Sequence, residues 1–406
     1  MAHASSPRAG AIRQPLLAYN ADHDRHDGRM NENAGRVRAA HHELQRSGLW
    51  ARCELLLETP SAAVYAETLH SARHLAMLRT AFSESRGWFC AVCTLENAAD
   101  AAECMACCTA RGRDEGCSFC IPEGKTSVYL CAASLDVALT NCALCAEAAR
   151  RGCATRTPAF ALVRPPGHHA SSESFGSYCL LNTVGITARA LLQPSPSAAG
   201  AAWAQRILII DWDIHHGDGT QALVLGDGAL REACTFVSIH RHDEGFWPKS
   251  GGVGEGSGGA AGGRVVNVPL RGTGYGDADY YRVFERLVVP LAARLQPDAV
   301  LVSAGYDCAA GDLLGRFQVS STGFCHLSRL VLGLAGGAAL FVLEGGYDVD
   351  GSSGHAPLVA GVCASVDGML QGAMGVEDLP SGWRREVKPQ TDAVLDEVEA
   401  ALFLMT

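Results

Sequence analysis

The stretch RILIIDWDIHHGDGT, Arg206 to Thr220, decides how the chain is read. Ile207 to Ile210 are apolar and β-branched or long, the composition of a strand buried on both faces. Asp211, Asp213, His215, His216 and Asp218 follow at once. If the extended backbone continues, residues two apart share a side, so Asp211, Asp213 and His215 face one way and Trp212 and Ile214 the other. An Asp and a His two apart can grip one metal ion. A third ligand from elsewhere would leave a position for water, which is the catalytic zinc arrangement.

Other apolar runs repeat the pattern: Ala159–Val163, Thr235–His240, Ala299–Ala304 and Ala339–Gly346. Helical periodicity lies between them, over Asp279–Leu295 and Ser320–Gly336. Strands alternating with helices predict an α/β fold, a single mainly parallel sheet with helices on both faces. In such sheets ligands gather at the carboxyl ends of the strands. Polar clusters stand at those ends here: RPPGHHA (Arg164–Ala170), DWDIHHGDG, the segment closing at Asp312, and LEGGY ending at Tyr347.

Composition bounds the function. The chain has 406 residues, 48% apolar and 19% charged, with a net charge of -10, which argues against holding nucleic acid by charge alone. No run reaches the ~18 apolar residues of a membrane span. The N-terminal residues lack an apolar core, so no secretory signal is expected. The 17 cysteines are then expected in a reducing compartment, as buried thiols or metal ligands. Gly251–Gly263 holds eight glycines in thirteen residues and reads as a mobile loop. Ser61–Phe82 and Ala133–Arg151 read as helical, and Arg86–Glu123, with seven cysteines, interrupts them.

Six motifs, in order, resemble the zinc-dependent histone deacetylases, closer to class II: LVRPPGHHA (Leu162–Ala170), SYCLLN (Ser177–Asn182), DWDIHHGDGTQ (Asp211–Gln221), VSIHRHDEGFWPKSG (Val237–Gly251), SAGYDCAAGD (Ser303–Asp312) and LEGGYD (Leu343–Asp348). The resemblance implies the arginase/deacetylase fold and hydrolysis of acetyl-lysine to lysine and acetate. It implies catalytic zinc on Asp213, His215 and Asp312, an active-site pair His168 and His169 oriented by Asp211 and Asp218, and Tyr347 as oxyanion donor. His169 is then the neutral base. It also implies a potassium ion held by Asp211, Asp213, His215, Ser238 and Ile239.

The chain departs from the family's GFC at Ser177-Tyr178-Cys179, so Tyr178 stands where a phenylalanine lines the acetyl-lysine tunnel. MNENAGR keeps Glu32 and Arg36; Arg36 matches an acetate-channel arginine or is a surface helix residue. Alternatives to a lysine deacetylase are an acetylpolyamine amidohydrolase and a non-catalytic ubiquitin-binding scaffold. The expected partner is an acetylated histone or other protein, and the expected location nucleus and/or cytoplasm, with no membrane attachment.

GWFCAVCTLENAADAAECMACC, Gly87–Cys108, carries two Cys-x2-Cys knuckles, Cys90, Cys93, Cys104 and Cys107, suited to one structural zinc. With Trp88 and Asn97 it resembles the Ran-binding-protein-type zinc finger, whose members bind RNA or ubiquitin. No Lys or Arg lies between Trp88 and Cys108, which favours ubiquitin through Thr94 and Leu95 over RNA. The expected organisation is a deacetylase domain in two parts, 15–85 and 121–406, around a finger at 86–112.

Overall fold

The computed structural model describes residues 14–26, 31–57, 66–80, 88–89, 96–97, 119–120, 129–131, 133–195, 201–256, 265–348 and 351–403. Eight strands form one parallel sheet. They are β1 (Leu16–Tyr19), β2 (Glu54–Leu56), β7 (Ala159–Leu162), β8 (Ile207–Asp211), β9 (Cys234–Arg241), β10 (Val265–Leu270), β11 (Ala299–Ala304) and β12 (Ala339–Leu343). The order across the sheet is β10-β9-β8-β11-β12-β7-β1-β2. The short pairs β3 (Trp88–Phe89) with β4 (Glu96–Asn97) and β5 (Phe119–Cys120) with β6 (Tyr129–Leu130) are antiparallel and separate.

Alternation along the strands builds two cores. Leu208, Ile210, Trp212 and Ile214 point to one face, with Leu17, Phe160, Val237, Val302 and Phe341. Helices α1 (Ala34–Arg46), α9 (Ser321–Leu334), α10 (Ala356–Gln371) and α11 (Pro389–Phe403) cover it, with the continuous helical stretch from α7 (Asp277–Val283) through a π turn to α8 (Val289–Leu295). Ile207 and Ile209 point to the other face, with Leu16, Ala159, Phe236 and Val342. That face packs against α2 (Ala72–Thr80), α3 (Ser134–Thr155), α4 (Thr183–Leu191), α5 (Asp218–Gly226) and α6 (Gly228–Ala233). The two-residue alternation thus persists to Ile214 although β8 ends at Asp211.

The five expected strands are present, and three more extend the sheet. Pro269 within VVNVPL masked β10, but it lies on an edge strand, where a missing amide donor is tolerated. Strands β1 and β2 are too short, at four and three residues, to show a period. Of the helix expected over Ser61–Phe82, residues 61–65 and 81–82 lie outside the described residues; within the remainder Ala66 is helical, residues 67–70 turn, and a helix runs over Ala72–Thr80. Cys90, Cys93, Cys104 and Cys107 also lie outside the described residues, as do residues 257–264 of the glycine-rich loop. Ladder β3–β4 places Trp88 opposite Asn97.

Strand order places the site. Strand β8 has β9 on one side and β11 on the other, so the chain reverses direction across the sheet there, and the crevice beyond its carboxyl end is the ligand position of an open α/β sheet. Strands β8, β11, β12 and β7 are consecutive neighbours, which brings their polar ends together. Ile209→Ala would remove buried methylene packing between this sheet and its helices; we expect a loss of about 2–5 kcal/mol, read as a lower urea midpoint with unchanged slope.

Candidate active site

Asp213 lies two residues past β8 and is fully buried. Its Oδ1 accepts from the His215 amide at 2.9 Å and its Oδ2 from the Gly345 amide at 2.8 Å. A Cβ on Gly305 would lie 2.1 Å from Asp213 Oδ2, and one on Gly345 2.4 Å from the same oxygen. Only glycine lets these two loops close on the carboxylate.

His215 Nδ1 stands 3.1 Å from Asp213 Oδ1 and 3.1 Å from Asp307 Oδ2. The ligand atoms of Asp213, His215 and Asp307 all lie within 4.8 Å of one another. The third group that the structure brings to this cluster is therefore Asp307, not the expected Asp312. Asp307 comes three residues after β11 ends, at the sheet edge, where Ile214 donates its amide to Oδ1 at 2.9 Å. Asp312 instead caps its own turn: Oδ1 accepts from Leu314 and Gly315 amides at 2.8 and 2.9 Å, and Oδ2 from the Tyr347 amide at 3.3 Å. Asp312 lies five residues farther along the same loop, where the chain has turned its carboxylate back onto its own backbone.

This donor set fits a divalent cation. Asp307 Oδ2 is buried and has no well-directed hydrogen bond. Burial and the neighbouring Asp213 push the Asp307 carboxyl up to about 7. Burial opposes charge on His215, yet Asp213 and Asp307 raise it to about 9. Burial also disfavours charge on Asp213, but His168 and His215 hold it below the usual carboxylate range. Protons thus occupy a place where a cation would relieve the same repulsion.

Two histidines follow β7. His168 Nδ1 is 3.0 Å from Asp211 Oδ2, and His169 Nδ1 is 2.7 Å from Asp218 Oδ1. Their rings are 3.8 Å apart, yet their charge states differ. Burial disfavours the charged form of His168, but Asp211 and Asp213 outweigh it and raise the imidazole well above its ordinary range. Burial and the positive fields of His168 and His215 hold His169 well below it, so His169 stays neutral. The His169 and Trp247 rings meet nearly at right angles with centroids 4.3 Å apart, and Phe246 stacks on His215 at 5.1 Å.

Tyr347 lies beyond β12, its ring 5.6 Å from that of Tyr178, which has a positive φ of 64°. Burial raises the Tyr347 hydroxyl well above its usual range, so it remains a donor. Ser177 is half-buried beside Tyr178. Ser238 sits opposite Asp211 in the β8–β9 register, and its hydroxyl lies 2.9 Å from His240 Nδ1.

Arg36 is fully buried, which removes the surface-helix reading. Its Nε donates to the Gly346 carbonyl at 2.7 Å, another nitrogen donates to the Glu344 carbonyl, and its guanidinium lies 4.7 Å from the Tyr347 ring centre. Glu32 joins Arg36 at 3.1 Å to Arg164, which it meets through both oxygens at 2.8 and 2.7 Å. Sequence reasoning missed Asp307, Trp247 and this buried Glu32–Arg164 pair. Each lies in or beside a quoted motif, but nothing in a linear pattern says which polar residue turns inward.

Two strand-end loops gather the Asp-His-Asp cluster, and two more bring the histidine pair and the half-buried Tyr347 beside it, which forms the kind of centre that activates water for hydrolysis. The comparisons specify it further. A model of the histone deacetylase domain matches residues 30–362. Histone deacetylase clr3 of Schizosaccharomyces pombe is 44% identical over 205 residues, covering 50% of this chain and 28% of that protein. Human histone deacetylase 7 is 32% identical over 385 residues, covering 91% of this chain and 36% of that protein. The chain thus spans about a third of the length of these curated relatives. The crystal structure of the HDA15 HD domain superposes with a TM-score of 0.73 at 26% identity, covering 97% of this chain and 98% of that one. The chain belongs to the histone deacetylase family, whose members are zinc-dependent hydrolases, and it has class II homologues.

Glu32 yields a pH prediction. Burial disfavours its charge, but Arg164 and Arg36 hold its carboxyl below the usual carboxylate range. A depressed native value contributes stability that is present above the unfolded value, near 4.5, and is lost as pH falls towards the native one. Glu32→Gln is expected to cost about 3–5 kcal/mol at pH 7. Urea unfolding at stepwise lower pH should show the difference from wild type shrinking below pH ~4.5.

Proposed function

We propose that this chain is a zinc-dependent protein lysine deacetylase that hydrolyses acetyl-lysine to lysine and acetate. The observation that carries the reading is the Asp213–His215–Asp307 cluster set beside two adjacent histidine rings, tilted 44° to one another, whose proton affinities are driven apart. Zinc is the cation proposed there, held by Asp213, His215 and Asp307. When bound, it polarises the acetyl carbonyl and acidifies a water molecule.

The residues supply the rest. His169, neutral and held through Nδ1 by Asp218, accepts the water proton at Nε2 and returns it to the departing lysine amine. His168, kept charged by Asp211, fixes positive potential beside the forming oxyanion. Tyr347 donates its phenolic proton in a hydrogen bond to that oxyanion. Trp247 and Tyr178 bracket the approach as aromatic walls suited to an aliphatic lysine stem. A purely scaffolding role would not require this full set of buried, oriented acids and bases.

Further parts of the reading are also proposals. A potassium ion would be held by Asp211, Asp213, His215, Ser238 and Ile239, partly through carbonyls. A structural zinc would sit on Cys90, Cys93, Cys104 and Cys107 in a finger inserted at 86–112 between two parts of the deacetylase domain. The cross-strand pairing of Trp88 with Asn97 supports that finger, since these are its two fixed non-cysteine positions. Its proposed partner is a protein, with ubiquitin favoured because no Lys or Arg lies between Trp88 and Cys108, and with Thr94 and Leu95 as the contact. The proposed substrate is an acetylated histone or other protein of the nucleus or cytoplasm. Among the described residues no helix is long and apolar enough to cross a membrane.

Two measurements test the assignment. Elemental analysis is expected to give two zinc ions per chain in the wild type. Asp307→Ala should lose the catalytic one and Cys90→Ser the structural one, while Asp312→Asn keeps both. Loss of zinc in Asp312→Asn with retention in Asp307→Ala would reverse the ligand assignment. Tyr347→Phe, assayed on an acetyl-lysine peptide, is expected to keep its zinc and lose roughly 10²–10³-fold in kcat.

A further inference from the structure

The proposed reacting groups ride on loops far apart in sequence. His168 and His169 follow β7, and Tyr347 follows β12. For one substrate carbonyl to meet both, the two loops must hold a fixed relative position, because a misplacement of about 1 Å costs about 10²-fold in rate.

One side chain joins them directly. Glu344, the first residue after β12, is fully buried. Its Oε2 accepts from the Gly167 amide at 2.6 Å and the His168 amide at 3.2 Å. Its own amide donates to the Ala304 carbonyl at 3.1 Å, and its carbonyl accepts from Arg36. The residue is therefore pinned to β11 and α1 by its backbone and to the histidine loop by its side chain. Oε1 is buried without a hydrogen bond, in a group with His168 and Cys179 whose ligand atoms lie within 4.8 Å of one another. A buried carboxylic group with an unused oxygen is costly to keep for packing alone.

We propose that Glu344 is a positioning residue: by accepting the Gly167 and His168 amides it sets the His168–His169 pair at its working distance from Tyr347. The proposal rests on the deacetylase reading for its kinetic consequence, and on geometry alone for the tie itself. The tie needs an acceptor oxygen, not a charge, so glutamine can replace glutamate and alanine cannot.

The test compares wild type, Glu344→Ala and Glu344→Gln in the full chain. Hydrogen–deuterium exchange reads the tie without turnover. The Gly167 and His168 amides should exchange ~10-fold or more faster in Glu344→Ala and remain protected in Glu344→Gln. With an acetyl-lysine peptide, Glu344→Ala should lose about 10²-fold in kcat with KM within about threefold, and Glu344→Gln should recover most of the rate. Zinc content, measured in parallel, should match wild type in both variants. A general loss of fold would lower the active fraction and would not be rescued by the amide. Unchanged exchange at these two amides in Glu344→Ala, an undiminished kcat, or a Glu344→Gln as impaired as Glu344→Ala would each overturn the proposal. A wild type that binds zinc but hydrolyses no acetyl-lysine peptide would overturn the deacetylase reading instead, and the exchange comparison would then judge the tie on its own.

Discussion

Everything at this sheet edge follows from one constraint: four buried carboxyl groups, Asp211, Asp213, Asp307 and Glu344, are packed within a few residues of the ends of three adjacent strands. Like charges this close and this far from water cannot all ionise without compensation. The protein divides the burden. Asp213 remains the anion, fed by the amides of His215 and Gly345, while burial drives Asp307 and Glu344 up to about 7. The glycines at 305 and 345 and the bonded imidazoles are arranged around that single charge. A divalent cation is the natural completion, since it replaces repulsion by attraction at the atoms that converge on His215 Nδ1.

The same constraint separates two chemically identical side chains. His168 faces Asp211 and Asp213 and is drawn into the charged state. His169, one residue on, faces His168 and His215, and its partner Asp218 stands farther out, at the start of α5. The difference arises from which neighbours each ring meets after a turn in the backbone. Environments that push two adjacent titratable groups apart assign them different roles in proton transfer.

Around this centre the protein adds rigid ties instead of apolar packing. Glu32 links Arg164 on the histidine loop to Arg36 beneath the tyrosine loop, all three fully buried. Glu344 makes a shorter connection between the same loops. Buried ion pairs contribute little net stability compared with apolar replacements of similar volume, but removing one partner is costly. Their directional bonds fix loop positions, which apolar contacts do not do as strictly.

The sequence alone determined the fold class, because buried parallel strands are written as uninterrupted Val, Ile and Leu runs, and because the two-residue alternation survives from Leu208 to Ile214. It also marked out the candidate site: Asp213, His215, His168, His169 and Tyr347 stand in polar motifs at strand ends, which the sheet order makes neighbours. Tertiary structure alone decided which acid completes the cluster. Asp307 and Asp312 are both aspartates after β11, and only the path of the loop turns one to His215 and the other back onto its own backbone. It also decided that Arg36 is an interior residue, since a helix arginine in sequence carries no mark of the face it occupies. Strands β1 and β2 stayed hidden because four and three residues are too few to show a period, and β10 because Pro269 interrupts its apolar run; their pairing is a property of the neighbouring strand, which lies outside the local sequence.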